Sequence, residues 1–154
     1  MLKSAVLALL FVAAPAHADD WYYVDASDDL SNISFIDKDS IKPNAAGNLL
    51  GAMYSVLSEE EDGVVAYRFL LEVDCKANKS RLTAAELFDA KMVSDGVSDM
   101  AGEWETVAAG TQGGAISGFI CAKGVGNQPS VGSALPFAKG RAMLTEMRTK
   151  GSTK

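Results

Sequence analysis

The chain has 154 residues, a net charge of −6 and a single histidine, His17. Histidine is the usual general base and a common metal ligand near neutral pH. A mature domain that begins after His17 therefore lacks histidine triads, histidine bases and histidine metal sites. The acidic balance, with no basic stripe, argues against nucleic acid or an anionic membrane surface as a partner.

Residues 1–18 have the pattern of a Sec-type signal peptide. Lys3 is the positive start, Ala5 to Ala14 is a short apolar run, and Ala16 to Ala18 is a small-residue cleavage signal. We expect cleavage between Ala18 and Asp19, which leaves 13 basic and 20 acidic residues, a net charge of −7. The apolar run is too short to span a bilayer. With no cysteine at the cleavage site to carry a lipid, we predict an exported chain without a membrane anchor, periplasmic or secreted.

Two cysteines remain in the exported chain, Cys75 and Cys121. In an oxidising compartment pairing is the default state of two cysteines. The alternative, a reactive thiol, would lack a histidine to activate it. We therefore predict a disulfide between them.

Four strands are predicted in the first half of the chain: Trp21–Asp25, Asn32–Asp37, Leu49–Leu57 and Val64–Cys75. The last of these is the clearest, because apolar and polar residues alternate along it. Its outer row contains Arg68, Glu72 and Asp74, and its inner row is Val65, Tyr67, Phe69, Leu71, Val73 and Cys75. The polar stretch before it predicts an antiparallel hairpin with the third strand.

The second half of the chain has a less regular pattern of apolar residues, so its elements are less clearly defined. Ser80–Phe88 fits a strand or a short helix, residues 90–102 fit a surface loop, and Glu103–Ala108 fits a strand. Gly110–Gly114 lacks the lysine of a phosphate-binding loop and is expected to open no helix, so it is interpreted as a glycine-rich hairpin. Ile116–Ala122 is predicted to be the last strand, which brings Cys121 to the core.

After a linker over residues 123–132, Leu135–Lys150 is predicted to be a helix. The fold class is therefore α+β and mainly β: an antiparallel sheet of about six strands, a C-terminal helix packed on it, and one disulfide. Residues 19–123 are expected to form the β domain, with the linker and helix of residues 124–154 belonging to the same domain.

Two clusters are candidates for a partner surface. The aromatic residues Trp21, Tyr22 and Tyr23 could face a partner or cover a small core. The acidic tip (Glu59, Glu60, Glu61 and Asp62) could attract a cation or a basic surface, or could be a solvated hairpin tip. The spacing of the tip does not match an EF-hand loop. The sequence predicts no catalytic site, metal site or cofactor.

Several short motifs occur in an order along the chain that resembles the surface-adhesin protein E family. The landmarks are Trp21, the turn Asp37-Lys-Asp-Ser-Ile41, the strand end Glu72-Val-Asp-Cys75 followed by Lys76, Lys79 and Arg81, then Trp104 and Cys121. The resemblance implies a sheet of about six strands with a C-terminal helix. It also implies a binding module rather than an enzyme, host matrix or plasma proteins as partners, and a homodimer in some members. Those members are lipid-anchored, whereas this chain has no cysteine for a lipid.

Two other classes remain as alternatives. A periplasmic inhibitor or small-ligand carrier would be favoured by a deep apolar cavity, whereas an exposed aromatic patch would favour a protein partner. A hydrolase that uses carboxylates alone would require two acidic side chains in one pocket.

Overall fold

The computed structural model describes residues 19–151, so the predicted signal peptide and its cleavage position after Ala18 lie outside the described residues. Within this range eight strands form one antiparallel sheet, in the order β6-β5-β4-β3-β2-β1-β8, with β7 paired to β5. The strands are β1 (Trp21–Ala26), β2 (Asn32–Pro43), β3 (Leu49–Glu61), β4 (Val64–Asp74), β5 (Lys79–Asp89), β6 (Ser94–Asp99), β7 (Glu105–Thr106) and β8 (Ser130–Gly132).

Two helices, α1 (Gln112–Cys121) and α2 (Phe137–Gly151), pack on opposite faces of this sheet. Neighbouring residues of a strand point to opposite faces. Phe35 packs in the cluster that contains Leu144 of α2, whereas the next residue, Ile36, packs in the cluster that contains Phe119 of α1. The mainly β, antiparallel fold with a C-terminal helix is thus confirmed, with eight strands in place of about six and with a second helix.

The predicted disulfide is present. Cys75 and Cys121 are bonded, with their Cα atoms 5.7 Å apart. Cys75 follows the end of β4 and Cys121 is the last residue of α1. The bond therefore ties a helix to the end of β4, whereas the sequence interpretation placed both cysteines on strands.

The largest error of the sequence interpretation lies in α1. Residues 116–122 were predicted to be a strand and Gly110–Gly114 a hairpin, yet Gln112–Cys121 form one helix with Thr111 as its N-cap. The Thr111 hydroxyl oxygen accepts a hydrogen bond from the Gly114 amide, 3.1 Å away, which satisfies a free donor of the first turn. Ile116, Phe119 and Ile120 are buried at helical spacing, so the period of the apolar residues was read wrongly.

Residues 80–88, for which a strand and a short helix were both predicted, belong to the strand β5. Four smaller differences concern short or polar elements. The segment 90–102 contains β6, and the predicted strand 103–108 shrinks to the two residues of β7. The linker contains β8, which pairs with β1. The predicted turn at residues 37–41 is part of β2, with an irregular register between Asp37 and Lys42. Such strands lack the apolar alternation that sequence reasoning depends on.

Gly140 lets α2 approach the sheet closely. It is one of two buried residues of α2, and a Cβ atom there would lie 2.9 Å from Val56 and 3.1 Å from Phe35. Glycine normally weakens a helix interior. Here the absent side chain is what allows the helix to pack on these two residues.

We expect Gly140→Ala to destabilise the protein by about 1–3 kcal/mol, because the new methyl group overlaps Val56 and Phe35. The matched control is Gly118→Ala in α1, where no atom lies within 4 Å of the added Cβ. The control should stabilise the protein by up to about 1 kcal/mol through helix propensity. Urea unfolding of both variants measures the difference, and equal effects would contradict the close packing of α2.

We expect replacement of both cysteines by serine to cost about 4 kcal/mol of unfolding free energy, because the bond closes a loop with a sequence separation of 46. Urea unfolding of the wild type with and without a reductant should reproduce this loss. Mass spectrometry of the exported, unreduced protein gives an independent check. Two free thiols there would contradict both the bond and the oxidising compartment.

Candidate functional site

The structure does not bring the predicted aromatic and acidic candidates together. Trp21 lies in the core with 0 % of its surface exposed, and its ring packs edge-on against Tyr54 at 5.9 Å between centroids. It cannot contact a partner, so its place in the candidate surface was wrong. The structure instead supports the alternative interpretation of Trp21 as a core residue.

Tyr22 and Tyr23 lie on opposite faces of the sheet. Tyr22 packs on Phe119 of α1 at 5.6 Å between centroids, with Lys38 Nζ 5.4 Å from the Tyr22 ring centre. Tyr23 packs on Phe35 beneath α2, and its burial, with a smaller contribution from Asp25, raises the pKa of its hydroxyl. Both rings are half-buried, each beneath a different helix. Because they lie on opposite faces of the sheet, they do not form one patch.

The acidic tip is exposed at the β3–β4 hairpin, where Asp62 and Gly63 both have positive φ angles of 51° and 84°. At this tip Glu59 Oε1 forms an ion pair with Arg148 Nη1 of α2 at 3.6 Å, and the Glu59 side chain is 84 % exposed. The acidic tip is also far from Tyr22. Tyr22 pairs with Ile36, which pairs with Met53 of β3, and Met53 is eight residues from Glu61 along that strand. At the rise of a strand this puts the tip about 26 Å from Tyr22.

Glu72 is the most extensively bonded carboxylate of the described chain, and sequence reasoning missed it. Although it was assigned to the outer row of β4, its side chain is only 6 % exposed. Its Oε1 accepts hydrogen bonds from the side-chain amides of Asn44 and Asn48 at 2.7 and 2.8 Å. Its Oε2 accepts two from the Arg81 guanidinium at 2.8 and 2.6 Å. The network joins the β2–β3 turn to β4 and β5.

Arg81 extends this network to the segment after β6. Its guanidinium carbon lies 4.7 Å from the ring centre of Trp104, a cation–π contact. Both residues were among the sequence landmarks, yet their contact could not be predicted because 23 positions separate them. The structural role of Glu72 and Arg81 is to hold this segment beside β5.

An aromatic patch lies on the α1 side of the sheet, beyond the end of that helix. We define it as Tyr67, Phe69 and Leu87, which are half-buried. The rings of Tyr67 and Phe69 are stacked at 5.4 Å between centroids, and Leu87 is the cross-strand neighbour of Tyr67. None of the three belongs to a core cluster beneath either helix. The predicted inner row of β4 is therefore covered at Leu71 and Val73 but open at its two aromatic residues.

A cavity of about 280 Å³ continues from this patch beneath α1. Its floor is Met53, Leu71 and Leu82 of the sheet, and its walls are the first turns of α1 and residues 100–105. Met53 is the cross-strand neighbour of Phe69, so the cavity adjoins the aromatic patch. We call it the α1 cavity.

Two acidic side chains, Glu103 and Glu105, also line the α1 cavity. This is the arrangement that a carboxylate hydrolase would require. However, both residues are exposed. A general acid among such pairs is normally held protonated by burial, and neither glutamate has that environment.

A second open area lies on the α2 side of the sheet. Ala52, Leu70 and Val97 line a shallow cavity of about 260 Å³, next to the ion pair between Arg68 and Glu86 at 4.0 Å. Each face of the sheet is thus covered by its helix over only part of its area. Across residues 19–151, no group of three or more acidic or cysteine side chains is placed to hold a metal ion.

We expect Glu72→Gln to lower the free energy of unfolding by about 2 kcal/mol at neutral pH, because hydrogen bonds to a charged acceptor are lost. Hydrogen bonds from Asn48, then from Arg81 and Asn44, hold the pKa of Glu72 below its usual range, against the effect of burial. A folded-state pKa below the unfolded value of about 4.3 stabilises the protein above that pH, and the contribution disappears as the pH falls further.

The difference between wild type and Glu72→Gln should therefore shrink as the pH falls below about 4. Urea unfolding across a pH series measures it, with Glu60→Gln at the exposed tip as the control expected to have no effect. A difference that stays constant down to about pH 2 would contradict the charged network.

No helix within the described part of the chain is long and apolar enough to cross a membrane. Comparison with curated proteins finds no match, and comparison with solved structures finds none either. The sequence profile described as surface-adhesin protein E matches residues 21–122, from the first residue of β1 to the position after Cys121. β8 and α2 lie beyond the matched residues. The match covers about two thirds of the sequence, and the chain therefore belongs to the surface-adhesin protein E family.

Proposed function

We propose that this protein is an exported, non-enzymatic binding domain whose partner is another protein. The observation that carries the proposal is the family match over residues 21–122, because the family is described as a surface adhesin. Export is supported by the signal-like pattern of residues 1–18 and by the disulfide, which requires an oxidising compartment. The proposed location is the periplasm or the medium outside the cell.

The open aromatic patch supports a protein partner. Tyr67 and Phe69 are half-buried, and their stacked rings lie outside the core clusters beneath the two helices. Tyrosine and other aromatic residues are enriched at protein interfaces because they bury a large area at a small entropic cost. By resemblance, the proposed partners are host matrix or plasma proteins, and a homodimer is part of the same proposal.

The carrier alternative has less support. The α1 cavity, at about 280 Å³, lies below the usual range of about 300–1,000 Å³ for small-molecule sites and opens to solvent beside Glu103 and Glu105. A cavity of this size and openness suits one side chain of a partner better than an enclosed ligand. For the same reason a catalytic pocket has little support.

We expect the purified protein to bind at least one immobilised host matrix or plasma protein saturably. Tyr67→Ser should weaken that binding by about tenfold, since it removes one ring of the aromatic patch. The matched control is Val125→Ser, a change at an exposed residue in the loop after α1. Surface plasmon resonance measures both, and circular dichroism checks the fold of each variant.

Absence of saturable binding at micromolar concentration would contradict the adhesin form of the proposal. Equal binding by Tyr67→Ser and Val125→Ser would move the interface away from the aromatic patch. Light scattering on the same samples tests the homodimer.

A further inference from the structure

The helix wall of the α1 cavity has a gap at Gly113. Gly113, Ile116 and Ser117 all line the cavity, and their spacing of three and four residues places them on one stripe of the helix. Gly113 has no side chain, so the stripe is open at its N-terminal end, where the helix faces residues 100–105. The gap leaves room for an inserted side chain at that point.

The interior of the cavity offers apolar contact and a buried serine hydroxyl. Its floor (Met53, Leu71 and Leu82) is apolar. Ser117 is 6 % exposed, and its hydroxyl forms no hydrogen bond with any residue of the described chain. An occupant can therefore bury an apolar side chain and also give this hydroxyl a partner, such as a backbone carbonyl.

The mouth of the cavity is acidic. Glu103 and Glu105 are exposed there, and neither has an ion pair within the described residues. Arg81 also borders the cavity, but its side chain lies on the opposite face of the sheet from Leu82, where it pairs with Glu72 at 2.6 Å. Charge complementarity therefore selects a cationic occupant. A second copy of this chain docking by the same face would set its own two glutamates against these, which like-charge repulsion disfavours.

We propose that the α1 cavity and the aromatic patch form one docking groove for a protein segment that carries a single bulky apolar side chain flanked by Lys or Arg. The apolar side chain fills the cavity, the basic residues contact Glu103 and Glu105, and the segment continues over Phe69 and Tyr67. This proposal rests on the proposed protein-binding function and specifies the chemistry of the partner.

The test uses the full exported chain and short fluorescent peptides. One peptide has a central Phe between lysines, a second replaces Phe by Ala, and a third replaces the lysines by Glu. We expect the first to bind about tenfold more tightly than the other two, by fluorescence anisotropy at low salt, and to weaken as salt is added. Equal binding of the three peptides, or no binding of the first, would overturn the proposed groove.

Two pairs of variants locate the site. Gly113→Leu fills the gap in the helix wall, and a Cβ there meets no atom nearer than Thr111 Oγ1 at 3.8 Å, so the helix is kept. Its control, Gly118→Leu, makes the same change in the same helix at an exposed glycine that does not line the cavity. We expect about tenfold weaker peptide binding for Gly113→Leu and unchanged binding for Gly118→Leu.

The second pair reverses charge. Glu103→Lys with Glu105→Lys should abolish the preference for the lysine peptide, whereas Glu60→Lys at the hairpin tip should preserve it. Thermal unfolding confirms that each variant is folded. Unchanged peptide binding in Gly113→Leu and in the double charge variant would overturn the proposed site.

The two proposals fail differently. Binding of matrix proteins that survives Gly113→Leu would retain the adhesin function and reject the groove as its site. Peptide binding that depends on Gly113 and Glu103, without any binding of matrix proteins, would retain the groove and reject host matrix proteins as the partner.

Discussion

The bond between Cys75 and Cys121 fixes the position on which the candidate site depends. The helix α1 has ten residues, three of them glycine, and glycine is a poor helix former. A short helix of this composition is marginal without tertiary support. The bond holds its last residue to the end of β4, and Phe119 and Ile120 then pack on the sheet. Since α1 is the wall of the cavity, the covalent tie also determines where that cavity lies.

At the opposite wall, Glu72 has a comparable role. Its carboxylate binds Arg81, and Arg81 lies against Trp104, so a buried charge holds the segment that carries Glu103 and Glu105. Burying a carboxylate is costly unless it is paired and hydrogen-bonded. Both oxygen atoms of Glu72 are satisfied. A helix tied by a disulfide and a segment held by an ion pair thus enclose the same apolar floor.

The second helix changes what the family-matched part of the chain exposes. α2 lies beyond the matched residues and covers the cluster that contains Phe35, Tyr54 and Val56. Gly140 allows this close approach. The stacked rings of Tyr67 and Phe69 lie on the other face, where α1 covers Leu71 and Val73 but not these rings. The location of the candidate surface therefore follows from which part of each face the helices leave uncovered.

Local sequence determined the elements whose signals are local. Alternation of apolar residues identified β4, the polar tip after β3 identified their hairpin, and the apolar spacing after Pro136 identified α2. Two cysteines in a chain with a predicted signal peptide were enough to predict the bond, and the ordered landmarks were enough for the family. The short or polar strands β6, β7 and β8 carried too little signal, and the glycines of α1 concealed its helical spacing.

Only the tertiary structure decided which of these residues face a partner. Alternation shows that Tyr67, Phe69 and Leu71 share a face, but it cannot show that α1 covers the third and leaves the first two open. It likewise assigned Glu72 to solvent, because the asparagines and arginine that bury it come from other strands and turns. Coverage and pairing are properties of segments distant in sequence, and for that reason the candidate surface had to be found in three dimensions.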